Sequence, residues 1–143
     1  MIKKYNLMII LIFTNIFMGN ALSEKNFFLD AKKNYDEKKY DESKFLFQRN
    51  IVFNPKDENS YLYLAKIFKQ EKNDSLEENN LDTVLLLNPK NEEAIYLLTL
   101  LNIKNSNFLK AKELINTLNS VCEKMCSSKL ELESKLNSSL KSE

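Results

Sequence analysis

The chain has no histidine and no tryptophan, one glycine, two prolines and a single arginine. Without histidine it lacks the commonest general base and the commonest metal ligand of proteins. One glycine in 143 residues excludes a glycine-rich phosphate loop and most architectures built on tight hairpins. An excess of charge of one sign is also missing. Basic side chains number 21 and acidic ones 20, for a net charge of +1, which is not the signature of a polyanion-binding surface. Apolar residues make up 43% of the chain and charged residues 29%. That is enough to bury the core of one domain or one short repeat array, and too apolar for a disordered chain.

The N-terminus reads MIKKYNLMIILIFTNIFMGNALSEK. Lys3 and Lys4 precede an apolar run from Leu7 to Met18, interrupted only by Thr14 and Asn15, and Gly19-Asn20-Ala21 follows with small residues at two cleavage positions. This is the layout of a secretory signal peptide over residues 1–21. The run is shorter than the ~20 residues a membrane-spanning helix needs, so an uncleaved inner-membrane anchor and a buried first helix are the lesser alternatives. No cysteine follows the run, which disfavours a lipoprotein. Removal of 1–21 takes away two lysines and no acid, so the remainder is slightly acidic.

The rest of the chain repeats. Asn54-Pro55 and Asn88-Pro89 stand 34 residues apart, each after an apolar run, and the segments FLFQRNIVFNPKDE and ENNLDTVLLLNPKNE align without gaps. Each pair reads as a helix end, followed by an N-cap at Asp57 or Asn91 and an acidic first turn. Tyr61, Leu64, Ala65 and Phe68 recur at helical spacing, and Leu81, Val84, Leu85 and Leu87 form a second stripe. Asp74-Ser75-Leu76-Glu77 between them has the form of a capping box. The unit is helix, short turn, helix.

A 34-residue helical hairpin ending in Asn-Pro resembles the tetratricopeptide repeat family, here an exported bacterial member. The family's large, small and aromatic positions are met from Glu24 by Phe27, Ala31, Tyr40, Ser43, Phe47 and Pro55. From Glu58 they are met by Tyr61, Leu64, Ala65, Phe68, Leu81, Val84 and Pro89, and from Glu92 by Ile95, Leu98, Phe108, Ala111, Ile115 and Leu118. Departures occur at Asn34, Asn102, Asp74, Glu77 and Glu123, and Glu77 at a tightly packed position implies a loose second hairpin. The resemblance implies an all-α fold, a right-handed superhelical stack of hairpins over residues 24–57, 58–91 and 92–123. Residues 124–143 are then a capping helix, with Ser128-Lys129-Leu130-Glu131 as its capping box and Leu132, Leu136 and Leu140 as its docking stripe.

Cys122 and Cys126 are the only cysteines. A redox pair would need a C-x-x-C in a βαβ setting, and a metal site would need about two further ligands. Two free thiols remain possible on composition. A disulfide suits an exported protein, but residues four apart in one helix hold their Cβ atoms about 5–6 Å apart, too far for a bond. The repeat register supplies the required break, because Cys122 and Glu123 occupy the slots of Asn-Pro. The favoured reading is a disulfide that fixes this turn. The adjacent acids Glu77-Glu78 and Glu92-Glu93 read as solvated faces and first-turn charges, and no pattern supports catalysis, a metal or a cofactor.

The resemblance places the ligand groove on the first helices of the hairpins. Its lining positions here include Phe28, Lys32, Tyr35, Leu62, Lys66, Lys69, Tyr96, Leu100, Ile103 and Lys104. Lysines alternating with apolar residues would suit a peptide carrying an acidic and an apolar element. The lysine and asparagine clamp of the chaperone-binding members does not carry over, because Phe28, Tyr63, Glu93 and Leu97 stand at the corresponding positions. The expected function is a non-catalytic periplasmic adaptor that binds a protein or peptide, with no nucleic-acid ligand and no membrane insertion once the signal is removed. The alternative is a structural subunit of an envelope assembly, held through its convex face or cap. Export makes a direct prediction: the protein recovered from the periplasm begins near Leu22, and intact Met1 in the membrane fraction would establish the anchor instead.

Overall fold

The structure, a computed structural model, is described for residues 27–141. The signal segment 1–21 and the first residues of the opening repeat lie outside the described residues. Seven α-helices and no strand occur among the described residues: α1 (Phe27–Asp36), α2 (Tyr40–Phe53), α3 (Glu58–Gln70), α4 (Asp74–Leu87), α5 (Glu92–Lys104), α6 (Phe108–Val121) and α7 (Ser128–Leu140). They form three antiparallel hairpins and a final helix in an all-α superhelical stack.

Each hairpin turns in the same way. Lys38, Lys72 and Ser106, spaced at the repeat period, have φ of 61°, 58° and 57°. At the first turn the Lys38 N–H donates to the Tyr35 carbonyl and the Lys39 N–H to the Asn34 carbonyl, at 2.9 and 2.8 Å. Lys72 and Asn73 repeat the pair onto Lys69 and Phe68, and Ser106 and Asn107 onto Ile103 and Asn102. These are Schellman motifs, which satisfy the orphan carbonyls of the first helix. The next residue along, Lys39, Asn73 or Asn107, is already the N-cap of the second helix, so one short turn closes one helix and opens the next. No glycine stands at these positions, so nothing in the sequence marks them as left-handed.

Helix starts after the Asn-Pro pairs follow the sequence. Asp57 accepts from the Asn59 N–H at 3.3 Å and Asn91 from the Ala94 N–H at 3.0 Å. Two capping boxes do not form. The N-cap of α4 is Asn73, whose side chain accepts from the Leu76 N–H, so Asp74 and Glu77 lie inside the helix. Ser128 is the first residue of α7 after an N-cap at Ser127 that has no side-chain bond, and Glu131 bonds elsewhere.

The core runs through each hairpin and on into the next. One cluster joins Ala31 and Phe47 of the first hairpin to Leu64, Ile67 and Phe68 of the second. The next joins Leu62, Ala65, Leu81 and Val84 to Ala94, Leu98 and Leu101 of the third. The last joins Ile95, Ala111, Ile115 and Leu118 to Leu132 and Leu136 of α7. Complete burial of a Leu or Ile side chain contributes about 1.5–3 kcal/mol, so the two leucines of α7 supply the apolar part of its docking. Leu140, expected in the same stripe, is half exposed.

In the first hairpin the helices meet at small residues, where the Ser43 hydroxyl donates to the Ala31 carbonyl at 2.9 Å. Glu77 occupies the equivalent of Ser43, yet α3 and α4 share the most extensive contact of any helix pair. Glu77 does not reduce the contact between these helices; it lines a cavity with Lys69, Leu100, Leu101 and Lys104.

The left-handed turns make a prediction. A non-glycine residue in this conformation costs energy that glycine avoids, partly offset by the freedom glycine has when unfolded. Lys72→Gly is expected to stabilise the protein by roughly 0.5–1 kcal/mol, read as a rise in thermal midpoint. A fall would mean that the Lys72 side chain contributes more than its backbone costs.

Candidate functional site

The first helices α1, α3 and α5 carry the residues that the resemblance assigns to the ligand groove, called here the concave face. Its N-terminal end is aromatic. The Tyr63 ring stacks on the buried Phe47 at 5.0 Å and receives Tyr35 edge-on at 5.0 Å and Phe28 edge-on at 6.0 Å. Tyr35 also meets Tyr40 edge-on at 5.6 Å. Burial, and then the neighbouring Tyr40 and Tyr63 hydroxyls, push the Tyr35 phenol above its usual range, so it remains a neutral donor. Phe28, Tyr35 and Tyr63 are half-buried, leaving ring surface on a rigid support. Tyr63 is the centre of this group. Sequence reasoning placed it in the register of the carboxylate clamp but not in the groove, and its aromatic character was the signal.

The lysines of the face are mostly matched. Lys32 binds Asp36 at 2.8 Å, and this hydrogen bond is the first cause of its raised pKa. Lys66 binds Glu93 at 2.6 Å and lies 4.7 Å over the Tyr63 ring. Lys104 spans both oxygens of Asp74 at 2.6 and 2.7 Å. Lys69 alone of the four has no ion-pair partner among the described residues. The basic element that the groove lysines implied is therefore largely neutralised, by Asp36 on the same helix and by Glu93 and Asp74 on neighbouring helices.

Three of the expected lining residues are placed otherwise. Leu62 and Ile103 are only 5% and 8% exposed and belong to the core, so they are not groove surface. Both sit where the following hairpin or the turn covers the helix. The Tyr96 hydroxyl bonds Glu131 of α7 at 3.0 Å, which closes the C-terminal end of the face with the capping helix. Leu100 is half-buried and, with Leu101, Lys69, Lys104 and Glu77, lines a cavity of about 260 Å³. Glu77 is 4% exposed, and burial is the main cause of a carboxyl pKa above its usual range.

At the far end, Cys122 and Cys126 are joined in a disulfide with Cα atoms 5.2 Å apart, and α6 stops at Val121. The Glu92 carboxylate accepts from the backbone N–H groups of Glu123, Lys124 and Met125 at 2.6 to 3.1 Å. Glu92 was read from the sequence as a solvated first-turn charge. Instead it ties the disulfide loop to the third hairpin, as Glu58 ties Asn88 one repeat earlier at 3.0 Å. The equal register of the two glutamates, one period apart, is the signal that was available.

No family model matches the chain, and no curated protein matches it in sequence. Solved structures share its fold. The Yersinia enterocolitica type III secretion chaperone SycD, in complex with a peptide of the translocator YopD, is similar with a TM-score of 0.72 at 16% identity, over 87% of this chain and 100% of that one. The first TPR of Spaghetti (RPAP3), bound to the HSP90 peptide SRMEEVD, gives 0.70 at 14% identity, over 78% and 89%. The Arabidopsis OM64 TPR domain gives 0.70 at 14% identity, over 78% and 92%. The chain thus has the tetratricopeptide-repeat fold.

The Glu92 contacts predict a pH dependence. Backbone donation by Glu123 and Met125 lowers its folded pKa, so this stabilisation is present above the unfolded carboxyl range of ~4.3 and is lost as pH falls through the lower folded value. Glu92→Gln is expected to melt below the wild type at neutral pH, with the gap closing in acid. An equal gap at both pH values would show that the carboxylate's charge is not what holds the loop.

Proposed function

We propose that the protein is a non-catalytic adaptor, exported to the periplasm, that binds a protein or peptide through its concave face. The observation that carries this reading is the aromatic group Phe28, Tyr35 and Tyr63. It presents ring surface from two successive hairpins on a support fixed by Phe47. Rigid aromatic surface is the usual anchor of a peptide, because little side-chain entropy is lost on contact. Two of the similar structures hold peptides, one from a translocator and one from HSP90. Export rests on the layout of residues 1–21. Among the described residues no helix is long and apolar enough to cross a membrane.

Because Lys32, Lys66 and Lys104 already have carboxylate partners, an acidic ligand would have to compete for them. Apolar and aromatic contacts therefore dominate this proposed interface, with Lys69 as the available cation.

A second reading is favoured by a different observation. Val52 and Leu86, at equivalent positions of α2 and α4, are 77% and 82% exposed on the outer face, with Phe45 and Phe53 nearby on α2. Such residues would serve a structural subunit held through its convex side. Pull-down from the periplasm separates the two. Phe28→Ala with Tyr35→Ala is expected to lose the partner, while Val52→Ser with Leu86→Ser keeps it. The reverse pattern would establish the convex-face reading.

A further inference from the structure

Local helix propensity does not bend the chain between α6 and α7. At the two earlier junctions a proline, Pro55 or Pro89, follows the end of the helix. Here Cys122, Glu123, Lys124, Met125, Cys126 and Ser127 separate the helices, and neither proline nor glycine is among them. Glutamate, lysine and methionine are among the better helix formers. Left to local preference, α6 would continue through them into α7.

Two contacts stand against that continuation. The first is the bond between Cys122 and Cys126. Residues four apart in one helix hold their Cβ atoms about 5–6 Å apart, whereas a disulfide needs about 3.5–4.5 Å, so the bond and a continuous helix exclude each other. The second is Glu92. In a continuous helix the Glu123, Lys124 and Met125 amides would donate to the carbonyls of Asn119, Ser120 and Val121. Here they donate to the Glu92 carboxylate at 2.6 to 3.1 Å, so helical bonds can replace them one for one. The disulfide has no such substitute. Cys126 is exposed and Cys122 half-buried, which gives an attacking thiolate access to the bond.

We propose that Cys122 and Cys126 form a redox switch that sets whether α7 is docked. Oxidised, the chain is bent, and α7 lies on the third hairpin through Leu132 and Leu136. The Tyr96 hydroxyl on Glu131 then closes the C-terminal end of the concave face. A dithiol reductant opens the bond. One of its thiolates attacks the Cys126 sulfur, the S–S bond breaks, and Cys122 leaves as a thiolate. The second thiolate attacks the mixed disulfide and frees Cys126. The reductant ends as a disulfide, two electrons pass to the protein, and the two protons shed by the reductant end on the cysteines. The helical bonds gained over residues 122–127 then carry α6 on into α7. α7 swings off, and Ile95, Ile115 and Leu118 lose the leucines that cover them. This switch stands whether or not a peptide occupies the concave face.

The test follows the purified protein by nuclear magnetic resonance, oxidised and after dithiothreitol, with the redox state confirmed by mass. Reduction is expected to move the Cα shifts of residues 122–127 to helical values. It is expected to abolish the contacts of Leu132 and Leu136 with the third hairpin, while the contacts of Phe47 with the second hairpin persist. Glu123→Pro puts back the proline of the earlier junctions. Cys122 before it is already extended, with φ −63° and ψ 136°, so the bent form accepts the ring. Reduced Glu123→Pro is expected to keep α7 docked; where that variant fails to fold, the wild-type shifts decide. A docked α7 in the reduced wild type overturns the switch and leaves the bond as a brace. Release of α7 with residues 122–127 still non-helical overturns it too, as does equal release in reduced Glu123→Pro. Loss of the Phe47 contacts on reduction also overturns it, because the bond is then a condition of folding.

Discussion

A helical hairpin of this length cannot cover its own apolar face, and every other feature of the structure follows from that deficit. Phe47 is buried because Leu64 and Ile67 of the next hairpin lie against it, and Leu81 because Ala94 and Leu98 do. The third hairpin has no fourth to lean on, and α7 takes that place through Leu132 and Leu136. The concave face is what remains of the first helices once stacking has taken its share. Its aromatic end and its Glu77 pocket are therefore held by the same contacts that hold the fold. Weakening the junction between hairpins would disturb the proposed site before it touched a single lining residue.

Electrostatics follow the same logic of neighbours. Each repeat supplies acids where the adjacent helices supply lysines: Lys66 meets Glu93, Lys104 meets Asp74 and Lys110 meets Glu78. Exposed pairs of this kind contribute little to stability, about 0–1 kcal/mol each. Their larger effect is on the groove, where they cancel a basic character that a count of lysines suggests. What distinguishes the face is then shape and aromatic content, with Lys69 the lysine that has no ion-pair partner among the described residues and lies by Glu77.

Much of the fold was legible because it rests on local rules. The Asn-Pro pairs, the helical stripes and the period located the helices and the break between Cys122 and Cys126. The capping boxes failed because Asn73 and Ser127 stand one residue earlier and take the cap position, a competition between adjacent polar residues that pattern alone does not decide. In the groove, Leu62 and Ile103 were misplaced because exposure depends on how far the following element reaches over each helix, which a single repeat does not encode. Tyr63 was underrated for the same reason, since its partners Phe28, Tyr35 and Phe47 come from another hairpin. Glu77 was correctly marked as a departure, and it lines a cavity with residues of α3 and α5.

The three junctions differ in a way that bears on how such an array could lengthen. The turns at Pro55 and Pro89 are built from residues that any copy of the 34-residue unit carries with it, so a duplicate inserted at either would find the same joint on both sides. The third junction runs from Cys122 to Ser127 and is closed by a covalent bond and by three amides gathered on Glu92. A unit added beyond it would face α7 instead of a hairpin. A unit copied across this joint would have to keep both the disulfide and the Glu92 contacts, whereas the joints at Pro55 and Pro89 set no such covalent condition.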